Sequence, residues 1–352
     1  MRTHFALLAA ALSVSACTHP PPTQANHSAT GGADLSTLVL PGPFAARPEV
    51  KAFIRTVARK HGFNSTTLDD LFARIEPRAD IIAKISRPAE QTKPWYAYRR
   101  IFLDQQRIFS GVTFWNTYRQ ALERANQVYG VPAEIIVAIL GVETRYGEIT
   151  GNNGVLEALS TLAFDYPKRA DFFRQELEHY LLLTREENID PLSLNGSYAG
   201  AMGLAQFMPS SYRSYAVDFD GDGHRDLWRN PIDAIGSVAN YLSKHGWRRG
   251  APVVTPATVQ GDQYQNLISS NSNSSNFKPR HAIVELRQQG VTPQLKTGDS
   301  DRAVLLELDG DGGAEHWLGF YNFYVITRYN RSPLYAMAVY QLGREIREHL
   351  HG

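Results

Sequence analysis

The stretch VPAEIIVAILGVETRYG, residues 131–147, decides how this chain is read. Ile135, Ile136, Ile139 and Leu140 recur at helical spacing, and Pro132 suits a first turn. The spacing predicts a helix running to about Arg145, apolar enough to lie inside a larger helical body. At its end stands Glu143, which shares a face with Ile136, Ile139 and Leu140. A carboxylate there is costly to bury unless it is paired or neutralised. Arg145, two positions on, points elsewhere and is a poor partner. Either a distant segment supplies a partner, or burial and the negative helix end raise the pKa of Glu143 to a purpose. A carboxyl still protonated near neutral pH can protonate a glycosidic oxygen.

The flanking segments read as helices too. PEVKAFIRTVARKHG (48–62) carries Val50, Phe53, Ile54 and Val57 on one face and stops at Gly62. STTLDDLFARI (65–75) opens on a capping residue, and 112–132 reads as one helix ended by Gly130 and Pro132. Further helices are expected over 167–189 and 230–245, the last closed by Gly246. After Trp247 the texture changes: APVVTPATV, HAIVELRQQGVTP and RAVLLELDGDGGAEHWLGF read as strands, the last two-stranded with a hairpin at Asp309–Gly313. YNFYVITRYNRS leads into a closing helix from Pro333. The fold class is mainly α (α+β). A helical domain is expected over 46–128, a core over 129–247, a small inserted β domain over 248–318, and a segment completing the core over 319–352.

At 352 residues, 43% apolar and 20% charged, the composition is that of a soluble globular protein. A net charge of +1 without a Lys/Arg stripe excludes an electrostatic nucleic-acid footprint. MRTHFALLAAALSVSAC has secretory-leader architecture, too short to span a bilayer stably. Its VSAC resembles a bacterial lipobox, in which Cys17 is lipidated. Cys17 is the one cysteine of the chain, so no intramolecular disulfide can form. Thr18 stands where inner-membrane retention would place aspartate, which favours the outer membrane, facing the periplasm. Residues 18–45, rich in Pro, Ser, Thr and Gly, read as a tether averaging roughly 30 Å and reaching at most about 100 Å.

Two further motifs carry chemistry. In GSYAGAMGLAQFMPSSY (196–212), small residues allow close backbone approach to Gln206, Phe207 and Met208, a set suited to an acetamido sugar. In DFDGDGHRD (218–226), Asp218, Asp220 and Asp222 alternate, Gly223 stands at the sharp turn, and His224 follows where a backbone carbonyl is used. This is the front half of a calcium loop; Arg229 occupies the position of the bidentate glutamate. Clustered carboxylates favour calcium over magnesium, in a structural rather than catalytic role.

GVETRYG, AGAMGLAQFMPSSY, DFDGDGH with AIGSVANYL, and ITRYNRSPLYAMAVYQLG together resemble, in order and spacing, the membrane-bound lytic murein transglycosylase B family. The likeness runs from about residue 45 to the C-terminus. It implies a lysozyme-like helical core that holds a peptidoglycan glycan strand. Glu143 would be the single catalytic acid and then base, closing a 1,6-anhydromuramoyl ring with no catalytic cofactor. Tyr98, Ser197, Gln206, Tyr241, Tyr329, Asn330 and Tyr335 would line the cleft. Lys168 and Arg169 would meet muramoyl carboxylates, with Lys168 departing from the family's arginine pair. Asp233 would close the calcium loop, and the lipid anchor would hold the enzyme to a membrane. Cell-wall synthesis or division proteins are candidate partners. A hydrolytic muramidase and a non-catalytic peptidoglycan-binding lipoprotein are the competing readings.

Overall fold

The computed structural model describes residues 42–86, 93–269 and 277–351, so the leader, Cys17 and almost all of the tether lie outside the described residues. No single helix among the described residues is long and apolar enough to cross a membrane.

Helix α1 (Pro48–His61) ends on left-handed Gly62, as its sequence foretells. In α2 (Ser65–Phe72) the cap is Asn64 rather than Ser65: its side chain accepts from the Thr67 N–H at 3.1 Å. Then follow α3 (Ala79–Ile85), α4 (Trp95–Phe102), α5 (Gln105–Thr117), α6 (Arg119–Tyr129), and α7 (Ala133–Thr144), which carries Glu143. Next come α8 (Val155–Asp165), α9 (Ala170–Glu186), α10 (Pro209–Tyr215) and α11 (Pro231–Lys244). Strands β1 (Asn153–Gly154) and β2 (Asn195–Gly196) form a two-stranded antiparallel pair beside the core. Helix α12 (Ile283–Gln288) belongs to the β domain, and α13 (Tyr321–Tyr329) with α14 (Pro333–His351) returns the chain to the core.

The segment 112–132, expected as one helix, is broken at Tyr118, which leaves helical geometry at ψ 24° and lays its ring on Phe114 at 4.6 Å. The break frees α5 to pack on α7 and α14 while α6 packs on α7 and α11. The helices of residues 46–128 also reach neighbours further along the chain. Helix α3 packs on α8, and α1 is tied to α9 through Lys60 and His61 on Glu178, whereas α4 packs on α14. Helix α7 is the hub: residues 135–140 are no more than 2% exposed. Apolar burial on that scale is the main stabilising contribution to such a core.

The β domain is a five-stranded antiparallel sheet in the order β4 (His281–Ala282), β6 (Arg302–Gly310), β7 (Gly313–Gly319), β3 (Val254–Val259), β5 (Val291–Pro293). Its hairpin has the expected place, with Gly310 paired to Gly313. HAIVELRQQGVTP departs from expectation: its middle is α12, because Ile283 and Leu286 point inward at helical spacing and Glu285 accepts from the Ala282 N–H at 2.9 Å. Left-handed Gly290 then turns the chain into β5.

Candidate active site

Glu143 sits half-buried in the last turn of α7. The chain leaves that helix through two non-glycine residues in left-handed geometry, Arg145 (φ 51°) and Tyr146 (φ 62°), a conformation seldom adopted without a compensating contact. Packing supplies it. The Tyr146 hydroxyl donates to the Arg107 carbonyl at 3.1 Å and fills a niche made by two glycines. A Cβ on Gly141 or on Gly111 would lie 2.4 or 2.5 Å from that hydroxyl. Thr144, fully buried, places its hydroxyl 3.0 Å from the Leu204 carbonyl and so ties the glutamate helix to the Gly- and Ala-rich loop.

That loop is held by close backbone approach. Gly203 lies at φ 67°, and a Cβ there would stand 2.4 Å from the Leu227 carbonyl oxygen. Gln206 is left-handed (φ 48°), and its Nε2 donates to the carbonyls of Thr150 at 3.0 Å and Gly203 at 2.9 Å. Phe207 packs its ring between Tyr241 (5.6 Å) and Tyr329 (5.8 Å).

The partner that the sequence left open comes from the C-terminal segment. The Tyr335 hydroxyl donates to Glu143 Oε1 at 2.7 Å. Behind it, Tyr329 stacks on Tyr335 with rings 9° from parallel, and its hydroxyl donates to the Ala205 carbonyl at 2.6 Å. Burial first, and the charge of Glu143 second, push both hydroxyls well above the usual phenol range, so both remain neutral donors. Tyr241 closes the arrangement by donating to the Arg328 carbonyl at 2.5 Å. Glu143 thus meets a neutral donor on a rigid aromatic stack.

The remaining residues named from sequence fall into different places. Ser197 is buried, its Oγ accepting from the Ala201 N–H at 3.0 Å. Met208 is buried at the N-terminus of α10. Asn330 is buried too; its Oδ1 accepts from the Ser332 N–H, while its Nδ2 has no acceptor among the described residues. Arg169 lies over the rings of Phe172 (4.3 Å) and Phe173 (5.2 Å), with Nη2 buried and lacking an acceptor among the described residues, and Lys168 is exposed beside it. Tyr98 stands next to the Glu143–Tyr335 contact. It is fully buried between Trp95 and Phe102, close enough for its hydroxyl to act on that of Tyr335. Sequence reasoning missed Thr144, Tyr146 and the paired glycines; Gly141, two residues before Glu143, was the available signal.

In the acidic loop, carboxylate oxygens of Asp218, Asp220 and Asp222 all lie within 4.8 Å of one another and face solvent. Asp218 accepts from the Gly223 and Gly221 N–H groups at 2.8 and 2.7 Å, which hold its carboxyl below the usual range. Three converging hard oxygens fit a hard divalent cation. Asp233 lies beside the loop, close enough for the Asp220 charge to act on it. It is fully buried, and its two oxygens accept from the N–H groups of Phe219 (2.7 Å) and Asp226 (2.8 Å), on either side of the loop. Those two bonds tie Asp233 to both ends of the loop.

Comparison with known proteins agrees with this geometry. A family model described as the transglycosylase SLT domain matches residues 45–344. Membrane-bound lytic murein transglycosylase B of Escherichia coli (strain K12) is 43% identical over 363 residues, covering 98% of each chain. The soluble lytic transglycosylase SltB1 from Pseudomonas aeruginosa superposes with a TM-score of 0.82 at 50% identity, covering 87% of this chain and 100% of that one. The Escherichia coli lytic transglycosylase SLT35 in complex with calcium gives 0.80 at 45% identity, covering 88% and 96%. A buried helix ending in a tyrosine-held glutamate, on a fold shared with these enzymes over nearly their whole length, places the chain in the lytic murein transglycosylase family.

Proposed function

We propose that Glu143 carries out both halves of the transglycosylase reaction on peptidoglycan. The observation that supports this is the contact of Tyr335 with Glu143 at 2.7 Å. Glu143 acts on the Tyr335 hydroxyl together with the tyrosines Tyr329 and Tyr98, which ring the carboxyl with phenols. Protonated Glu143 gives its proton to the oxygen joining N-acetylmuramic acid to N-acetylglucosamine, and the C–O bond breaks. The neighbouring acetamide steadies the cationic sugar, as in substrate-assisted glycosidases. The carboxylate then takes the proton of the muramoyl C6 hydroxyl, whose oxygen closes on C1. The test is the mass of muropeptides released from purified sacculi. Anhydromuramoyl ends support the reading; reducing muramic acid as the main product would replace it with a hydrolytic muramidase.

Asp218, Asp220 and Asp222 would hold a structural calcium ion, as their convergence and the calcium complex of SLT35 support. The ion would pin the loop ahead of α11, which carries Tyr241. Calcium is expected to raise the melting temperature by several degrees, and Asp222→Ala to remove that rise while keeping activity in the cold. Identical melting curves with calcium and with chelator, at equal ionic strength, would reject the site.

Cys17 would carry the lipid anchor that holds the enzyme to the outer membrane on its periplasmic side; the name of the Escherichia coli relative, membrane-bound, supports association with a membrane. Cys17→Ser is expected to move the protein from the membrane pellet to the soluble fraction with activity unchanged. A mutant that still sediments would place the anchor elsewhere.

A further inference from the structure

Helix α7 closes with the Arg145 N–H on the Gly141 carbonyl (3.1 Å) and the Tyr146 N–H on the Leu140 carbonyl (3.2 Å). That closure puts a residue in left-handed geometry, a place glycine ordinarily takes, as Gly62 does after α1 and Gly130 after α6. Here it is Arg145. A strained residue persists where its surroundings hold it, and the side chain shows what holds this one. Arg145 Nη2 donates to Asp104 Oδ2 at 3.2 Å. Asp104 is the N-cap of α5, and its other oxygen, Oδ1, accepts from the Arg107 N–H at 2.9 Å. The Arg107 carbonyl in turn accepts from the Tyr146 hydroxyl. Both left-handed residues after Glu143 are therefore tied to the first turn of α5. The same turn reaches α4. Buried Arg107 donates through Nη1 to the Ile101 carbonyl at 2.8 Å and lies over the Phe102 ring, against which Tyr98 packs. One helical turn thus fixes the exit from Glu143 and the helix whose Tyr98 acts on the Tyr335 hydroxyl.

We propose that Asp104 and Arg145 are positioning residues, a pair that holds the last turn of α7 so that the Glu143 carboxyl keeps its place on the Tyr335 hydroxyl. The inference rests on the reading above in which Glu143 is the acid. Arg145 and Asp104 keep 22% and 33% of their side chains exposed, and an ion pair this open contributes little to stability. A residue that bears backbone strain for a weakly stabilising contact has a task besides holding the fold together. Arg145 follows Glu143 by two residues, so at most about 7 Å of main chain passes a shift at one to the other. The Asp104 charge also offsets that of Arg145 at Arg107, so without it the two cations repel and the turn moves.

The test sets activity against stability. Arg145→Gly relieves the strain, since glycine adopts φ 51° freely, and it removes the tie to Asp104. Its melting temperature is expected to equal or exceed that of the wild type, while kcat on sacculi falls about ten- to a hundredfold with KM unchanged. Arg145→Lys, which keeps a cation within reach of Asp104, should recover most of kcat. Asp104→Asn keeps the cap and should lower kcat similarly. The two changes together should lower kcat no further than either alone, because both break one contact. An unchanged kcat in Arg145→Gly overturns the proposal. So does a loss of activity that tracks a fall in melting temperature, which would mean a structural fault only. A raised KM at unchanged kcat would place Arg145 on the substrate and overturn it too. Failure of the Glu143 reading is distinct: Glu143→Gln would then keep its turnover.

Discussion

Glu143→Gln is expected to lower turnover on sacculi by roughly 10³-fold or more, with the melting temperature little changed. The amide keeps the size of the carboxyl and can still accept from Tyr335, so the aromatic stack behind it stays in place. What it loses is the transferable proton, and with it both the departure of the glycosidic oxygen and the later activation of the C6 hydroxyl. In the proposed reaction one group serves both steps, so no neighbouring acid would inherit half of the work. Binding of sacculi should survive, which separates chemistry from recognition. Residual activity above a few per cent of wild type, in protein free of wild-type contamination, would mean that another group supplies the proton.

The second large effect is steric. Gly203→Ala is expected to destabilise the fold by about 3 kcal/mol or more, since it combines left-handed backbone strain with overpacking. The new Cβ would meet the Leu227 carbonyl oxygen at 2.4 Å, and neither backbone can yield without moving its own contacts. Gln206 donates to the Gly203 carbonyl, and Leu204 is tied through its carbonyl to Thr144, so displacement reaches the glutamate turn. A fall in melting temperature of roughly 5 °C or more, with reduced activity in the cold, is the expected pair of readings. Gly221→Ala serves as comparison: its glycine is also left-handed (φ 84°) but has nothing within 4 Å, so strain acts there without the clash. Equal melting temperatures for the two variants would show that the close approach at Gly203 is unimportant.

Much of this site can be read from the sequence because it follows from local spacing. The apolar residues of α7 reveal a buried helix, and Glu143 stands out as the ionisable group at its end. The hairpin of β6 and β7 is equally local, since a glycine-rich turn between apolar runs specifies it. What spacing cannot show is which segments meet. The Tyr335 hydroxyl reaches Glu143 across 192 residues of chain, and no periodicity encodes that pairing. Helix α12 failed for another reason. HAIVELRQ alternates and also repeats at helical spacing, and the choice between them was made by packing against the sheet.

The distance along the chain between Glu143 and Tyr335 also has a meaning in time. Synthesis at about 5 to 20 residues per second puts roughly 10 to 40 s between the two side chains. During that interval α7 exists without the hydroxyl that orients its carboxyl. Tyr329, whose bond to the Ala205 carbonyl secures the Gly- and Ala-rich loop, arrives in the same late segment. The Glu143–Tyr335 contact forms only as α13 and α14 dock, so the geometry around the carboxyl is completed by the last part of the chain to be made.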